Sequence, residues 1–204
     1  MIALIDYGAG NLKSVAKAIA FLGYQATVTS SPADVDRARV VVLPGVGAAR
    51  PAVERLEGSG LADSIRRALA QGRPFLGLCV GLQVLFTTSK EGGNCPCLDI
   101  LPGVVVRLPS GLKVPHIGWN QVWQRPDRPG LPIFDGIPDG ANFYFVHSYY
   151  ASPRNQEVVA GKTEYGVTFP SVIVKDNLVA TQFHPEKSGQ AGLLLYHNFF
   201  SRSS

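Results

Sequence analysis

The chain has 204 residues, of which 46% are hydrophobic and 17% charged. That is enough apolar material for a real core, and it excludes a disordered chain or a coiled coil, which carry fewer apolar residues or far more charge. The net charge of +4 arises from 19 Lys and Arg against 15 Asp and Glu, scattered so that no basic run exceeds Arg66-Arg67; no nucleic-acid partner is expected. No apolar run reaches the 18 to 20 or so residues that span a bilayer, so no membrane association is expected. The opening residues show no basic segment ahead of an apolar stretch, and three cysteines (Cys79, Cys95, Cys97) are too few and too odd in number for a disulfide framework. A cytoplasmic location with free thiols is expected.

The first half reads as alternating strand and helix. Ile2 to Ile5 is a short apolar strand closed by the turn Tyr7-Gly8-Ala9-Gly10. From Asn11, Leu12, Val15, Ala16, Ile19 and Leu22 follow helical spacing, with Asn11 as cap and Gly23 as stop. Residues 25–29 form a second strand. Val40 to Leu43 forms a third, whose continuous β-branched run suits burial on both faces of a parallel sheet. After the break at Pro44-Gly45-Val46-Gly47, residues 51–71 predict one or two helices interrupted near Gly58-Ser59-Gly60. Phe75 to Leu78 is the next buried strand, and Val80 to Thr87 the next helix. The second half is richer in strands, at 104–106, 142–150, 158–160, 171–175 and 178–183, and closes with a helix over 192–200 in which His197 is expected to pack in the core. Repeated strand-helix units imply an α/β fold with a mostly parallel central sheet, helices on both faces, and extra antiparallel strands in the second half. No repeat, low-complexity tract or linker is visible, so one domain over residues 1–204 is expected.

Chemistry concentrates at Gly77-Leu78-Cys79-Val80-Gly81-Leu82-Gln83. A strand ends, a cysteine occupies the turn, and a helix begins at once, with glycines two residues to either side. This is a nucleophile elbow with cysteine in place of serine, and the unpaired amides of a helix N-terminus favour a thiolate there. At Thr181-Gln182-Phe183-His184-Pro185-Glu186-Lys187, residues two apart in extended chain share a face, so His184 and Glu186 lie side by side. His184 can then serve as base for the thiol while Glu186 orients the imidazole. The backbone N–H of Val80 is the expected first oxyanion donor, and Val46 in the strand-ending Pro44 to Gly47 loop the second. Gly8-Ala9-Gly10 lacks the third glycine of a dinucleotide fingerprint, since position 13 is Lys13, and Cys95-Pro96-Cys97 lacks a second ligand pair. Neither cofactor nor metal is expected.

Gly-Leu-Cys-Val-Gly-Leu-Gln with a downstream His-Pro-Glu resembles the class I (triad) glutamine amidotransferases. Further blocks resemble the glutaminase subunits of imidazole glycerol phosphate synthases: Ile5 to Val15, Leu43 to Gly47, Pro115 to Asn120, Phe143 to Tyr149 and Gln182 to Ser188. The resemblance runs through nearly the whole chain and implies a flavodoxin-like amidotransferase fold. It also implies that Cys79 attacks the side-chain amide of L-glutamine, that His184 moves protons and that Glu186 supports it. Gln83, Gly47, Ser148 and Tyr149 would hold the glutamine. Ammonia would pass to a (βα)₈-barrel cyclase subunit in a heterodimer, with Trp119, Tyr144 and Lys187 facing that partner. Two segments depart from the family pattern: Ala48-Ala49-Arg50, where a bulky aromatic is usual, and Glu91 to Ile100. Neither is expected to touch the triad.

Overall fold

The computed structural model describes residues 1–8, 10–127 and 131–202; Ala9, inside the turn expected after the first strand, lies outside them. Strand β1 (Ile2–Ile5) leads to helix α1 (Leu12–Phe21) and β2 (Ala26–Thr29). A short helix α2 (Pro32–Arg37) precedes β3 (Val40–Leu43). Then come α3 (Ala49–Gly58), α4 (Leu61–Ala70), β4 (Phe75–Leu78) and α5 (Val80–Gln83). The second half supplies β5 (Phe86–Ser89), β6 (Cys95–Pro96), β7 (Leu101–Arg107), β8 (His116–Gln124), β9 (Ala141–His147), β10 (Tyr149–Pro153), β11 (Val159–Glu164), β12 (Thr168–Lys175), β13 (Leu178–Thr181) and a closing helix α6 (Gly189–Ser201).

Among the described residues the strands make a nine-stranded sheet in the order β2-β1-β3-β4-β13-β12-β11-β8-β9 and a four-stranded sheet in the order β10-β7-β5-β6. The run from β2 to β13 is parallel, and the rest of the larger sheet is antiparallel. The period of two in the pleat divides the parallel strands between two cores. Ala3, Ile5, Val41 and Leu43 face α2, α3 and α4, whereas Ile2, Leu4, Val40 and Val42 face α1 and α6. Helix α1 buries Val15 and Ile19 completely on that second face, and each such side chain contributes about 1.5–3 kcal/mol.

Three expectations need correction. The helix expected over 80–87 is a single turn, α5, followed by β5. The carbonyls of Leu85 and Phe86 accept amides from Ile100, Leu101 and Asp99 instead of continuing the helix, and β5 takes up pairing with β7. The strand expected over 142–150 is two strands in different sheets, broken at Ser148: β9 pairs with β8, β10 with β7. Helix α2 and strand β8 were not anticipated. In β8 the large apolar residues Ile117, Trp119 and Trp123 are exposed, while His116 and Val122 are buried, so the strand inverts the usual alternation. His197 is exposed on α6, where Leu195, Tyr196, Phe199 and Phe200 make the buried face.

Backbone contact between β3, β4 and α5 is close enough to require glycine. A Cβ on Gly81 would overlap the Leu43 carbonyl oxygen, and one on Gly77 would lie 2.9 Å from the Gly81 carbonyl oxygen. Gly81→Ala should therefore lower the unfolding free energy by about 3 kcal/mol or more in urea titration. Gly58→Ala, at the end of α3 with open space around it, should raise it by about 0.5 kcal/mol.

Candidate active site

Cys79 sits between the last residue of β4 and the first of α5 with φ 54° and ψ −106°, a conformation that costs a non-glycine residue on the order of 1–3 kcal/mol. Its surroundings hold it there. Its amide donates to the Thr181 carbonyl at 2.8 Å, and its carbonyl accepts the amides of Leu82 and Gln83 at 3.0 and 3.2 Å. The resulting turn lifts the thiol out of the sheet at the carboxyl end of the parallel strands.

Strand β13 runs parallel to β4, with Thr181 opposite Leu78. The residues that follow it therefore emerge beside Cys79. His184 is clamped by its own backbone: its amide donates to the Tyr144 carbonyl at 2.9 Å, and its carbonyl accepts the Ser188 hydroxyl at 2.6 Å. Its Nδ1 donates to Glu186 Oε1 at 2.9 Å, and both side chains are almost fully buried. Glu186 is further held by Asn11 Nδ2 on Oε1 and the Tyr196 hydroxyl on Oε2, each at 3.3 Å. Asn11 thus uses its side chain on Glu186 and leaves the N-terminus of α1 without the side-chain cap expected of it.

The remaining imidazole nitrogen, Nε2, is buried without a formed hydrogen bond, and the Cys79 sulfur is beside it. Burial alone would push the His184 pKa down, but the sulfur and the Glu186 carboxylate outweigh it and raise the pKa to about 10. For Glu186 burial opposes ionisation, but the hydrogen bond and charge of His184 hold the carboxyl below its ordinary range. His184 and Glu186 therefore favour an imidazolium paired with a carboxylate next to the Cys79 sulfur. The Tyr7 hydroxyl, buried near Cys79, has its pKa raised by desolvation first and by the sulfur second.

A cavity of about 340 Å³ opens over Cys79 and His184. Val46, Gly47, Val80, Gln83, Ser148 and Tyr149, all expected at a site from the sequence, line it. Gln83 Nε2 donates to the Tyr149 carbonyl at 2.8 Å and to Gln182 Oε1 at 3.2 Å. Trp119, Tyr144 and Lys187 do not line the cavity but gather near it. The Trp119 and Tyr144 rings meet edge to face at 6.1 Å, and Lys187 Nζ lies 5.7 Å over the Tyr144 ring.

Three polar residues at or near the cavity, besides the apolar Pro115 and Val146 that line it, escaped sequence reasoning. Glu91 lines the cavity and accepts the Ala49 amide at 2.8 Å, so the two departing segments meet each other at the site; a contact across 42 positions leaves no local signal. His147 also lines the cavity. Gln182 Nε2 lies 3.7 Å from Cys79 Sγ and was signalled only by its place two residues before His184.

A cysteine elbow, a carboxylate-paired histidine and an α/β sheet that brings them together define a triad amidotransferase, and the chain belongs to the class-I glutamine amidotransferase family, whose model matches residues 3–202. Its relatives include the imidazole glycerol phosphate synthase subunit HisH of Dehalococcoides mccartyi strain CBDB1, 54% identical over 98% of this chain and 96% of the relative. The corresponding HisH subunit of Moorella thermoacetica is 55% identical over 97% and 93%. Among solved structures, a chain of PurLQS from Thermotoga maritima superposes with a TM-score of 0.78 at 15% identity, covering 100% of this chain and 98% of its own. A glutamine amidotransferase crystal structure gives 0.74 at 18% identity, covering 100% and 99%. At those identities the likeness is one of fold.

Two stability measurements check this geometry. Cys79→Gly should be more stable than Cys79→Ala by about 1 kcal/mol, because both lose the thiol but only alanine keeps a Cβ at a positive φ. Glu186→Gln should lose about 3 kcal/mol at pH 7. A carboxyl with a lowered folded-state pKa contributes stability above its ordinary value of 4.5 and loses it as pH falls through the folded value. The gap between wild type and Glu186→Gln in thermal unfolding should accordingly narrow below that pH.

Proposed function

We propose that the chain is the glutaminase subunit of an imidazole glycerol phosphate synthase, one amidotransferase domain over residues 1–204 working in the cytoplasm. The observation that carries the chemistry is the Cys79 sulfur beside the Glu186-paired His184 in a cavity large enough for an amino acid. The subunit assignment is supported by relatives more than half identical over nearly the whole chain.

In this reading Cys79 Sγ attacks the carboxamide carbon of glutamine, and the thiol proton resides on His184 Nε2. The carbonyl oxygen becomes an oxyanion received by the amides of Val80, first residue of α5, and Val46. The tetrahedral adduct collapses, the C–N bond breaks, and His184 returns the proton to the departing nitrogen, which leaves as ammonia. A γ-glutamyl thioester remains. Water attacks it with His184 taking a proton, the C–S bond breaks, and glutamate leaves. Glu186 keeps Nδ1–H directed and stabilises the imidazolium throughout. Gly47, Gln83, Ser148 and Tyr149 hold the substrate, and the Glu91 carboxylate pairs with its α-ammonium group. No cofactor or metal takes part.

Ammonia is mostly protonated in neutral water and is then no nucleophile, which favours a partner seated over the exit. Exposed Ile117 and Trp119 on β8, with Tyr144 and Lys187, offer an apolar and cationic face beside the cavity. Its partner is the cyclase subunit, a (βα)₈-barrel that would use the ammonia to build imidazole glycerol phosphate and release the aminoimidazole carboxamide ribotide (AICAR).

Glutamate release should be low for the chain alone, rise at least tenfold with the cyclase subunit and its ribonucleotide substrate, and vanish in Cys79→Ala. Full glutaminase turnover indifferent to the partner would contradict the heterodimer. Trp119→Ala should weaken association with the cyclase by about 2 kcal/mol in calorimetry.

A further inference from the structure

At the cavity wall, which His147 lines, a second pair of histidines does no acid–base work in the mechanism above. His116, on β8, faces His147, at the end of β9, with Nδ1 to Nε2 at 3.1 Å; the two residues are cross-strand neighbours. His147 Nδ1 lies 2.9 Å from the Tyr149 carbonyl oxygen, and Asn120 Nδ2 lies 3.3 Å from His116 Nε2.

Donor and acceptor counting leaves one arrangement. A carbonyl only accepts, so His147 carries its proton on Nδ1, and a neutral ring then has a lone pair on Nε2. His116 must donate to that lone pair from Nδ1, which makes its Nε2 an acceptor for the Asn120 amide. Asn120 uses its other N–H on the Glu164 carbonyl at 2.9 Å. Both rings have to be neutral, and burial, the leading effect on each, lowers the His116 pKa and pushes that of His147 down to about 3. The chain continues beyond Tyr149. Its carbonyl accepts a second bond from Gln83 Nε2, whose other N–H goes to Gln182 Oε1. Gln182 is thereby left with its NH₂ toward Cys79 Sγ.

We infer that His116 and His147 are positioning residues of the glutaminase site, fixing through Tyr149, Gln83 and Gln182 the amide that donates to the Cys79 sulfur. The inference rests on the glutaminase reading for its kinetic consequence, though the hydrogen-bond chain itself does not. Without the His116 donor, the lone pair on His147 Nε2 is buried with no partner, and the ring turns to relieve it. Its Nδ1–H then leaves the Tyr149 carbonyl, that carbonyl shifts away from Gln83 Nε2, and Gln182 can present its oxygen to a thiolate. That oxygen repels the charge that the NH₂ group stabilises.

The surroundings of His116 make a clean test. Its ring is stacked between Tyr165, 4.0 Å between centroids, and Phe145, at 5.0 Å. His116→Phe keeps the stack and deletes the donor. His116→Asn loses the stack but keeps an N–H at the position of Nδ1. A merely structural role makes activity follow stability, so Phe should outperform Asn. The positioning role reverses the order. Glutamate release by the full chain with its cyclase partner, and alkylation of Cys79 by iodoacetamide, should each fall about tenfold in His116→Phe and stay within about threefold of wild type in His116→Asn, while the latter has the lower Tm. In a double-mutant cycle, adding Gln182→Leu to His116→Phe should cause little further loss in either rate.

Alkylation in which Phe equals or exceeds wild type, or fully additive losses in the cycle, would overturn the inference while leaving glutamine hydrolysis by the wild type standing. Alkylation that follows the expected order in a chain without Cys79-dependent glutamate release would instead retain the positioning role and reject the glutaminase reading. Should His116→Phe not fold, imidazole ¹⁵N shifts of the wild type decide. Both rings should be neutral and protonated on Nδ1 at pH 7, and an Nε2–H or charged form of either overturns the chain.

Discussion

Much of the site depends on one close approach, that of the Gly81 backbone to the Leu43 carbonyl at the end of the neighbouring strand. With no side chain at Gly81, and none at Gly77 beneath it, α5 can begin one residue after β4 ends. That abrupt start puts Cys79 at a positive φ and aims its sulfur away from the sheet. Gly45 belongs to the same contact: a Cβ there would lie 2.7 Å from the Gly81 amide nitrogen and 2.8 Å from the Tyr7 hydroxyl. The loop that carries Val46 and the turn that carries Cys79 are therefore packed through bare backbone, with strain at the cysteine balanced by the hydrogen bonds on either side of it.

The switch from parallel to antiparallel pairing at β13 does the rest. Parallel alignment with β4 delivers His184 to the level of Cys79, and the antiparallel strands beyond it return β9 to supply the Tyr144 carbonyl that holds the His184 amide. The break at Ser148 then moves the chain into the smaller sheet, so residues on both sides of the break wall the same cavity.

Two buried histidines beside one cavity show how environment sets protonation. His184 has a carboxylate on one nitrogen and a sulfur near the other, and these outweigh desolvation to raise its pKa. His147 has a carbonyl and a second imidazole; desolvation prevails and its pKa falls. One ring is equipped to carry a proton through a reaction, and the other to keep a fixed tautomer.

By itself the sequence determined the features written in contiguous residues. Gly77 to Gln83 encode the elbow because strand, turn and helix start all lie within seven positions. The pairing of His184 with Glu186 was also legible, although a 3-10 turn over Pro185–Lys187 makes it and not the extended chain expected. The apolar runs of β1, β3 and β4 declare double-sided burial, and the spacing in α1 declares a helix packed on one face. The tertiary structure decided what depends on distant partners. The helix after Cys79 stops at Gln83 because carbonyls of residues 85 and 86 are claimed by residues 99 to 101. Strand β8 exists because β9 and β11 pair with it, although its exposed residues are the large apolar ones. Glu91 reaches the site by bonding Ala49, and His116 reaches it through His147. Local patterns record the preferences of a backbone segment and its nearest side chains, whereas hydrogen bonds and charges between segments exist only once the sheet has brought them together.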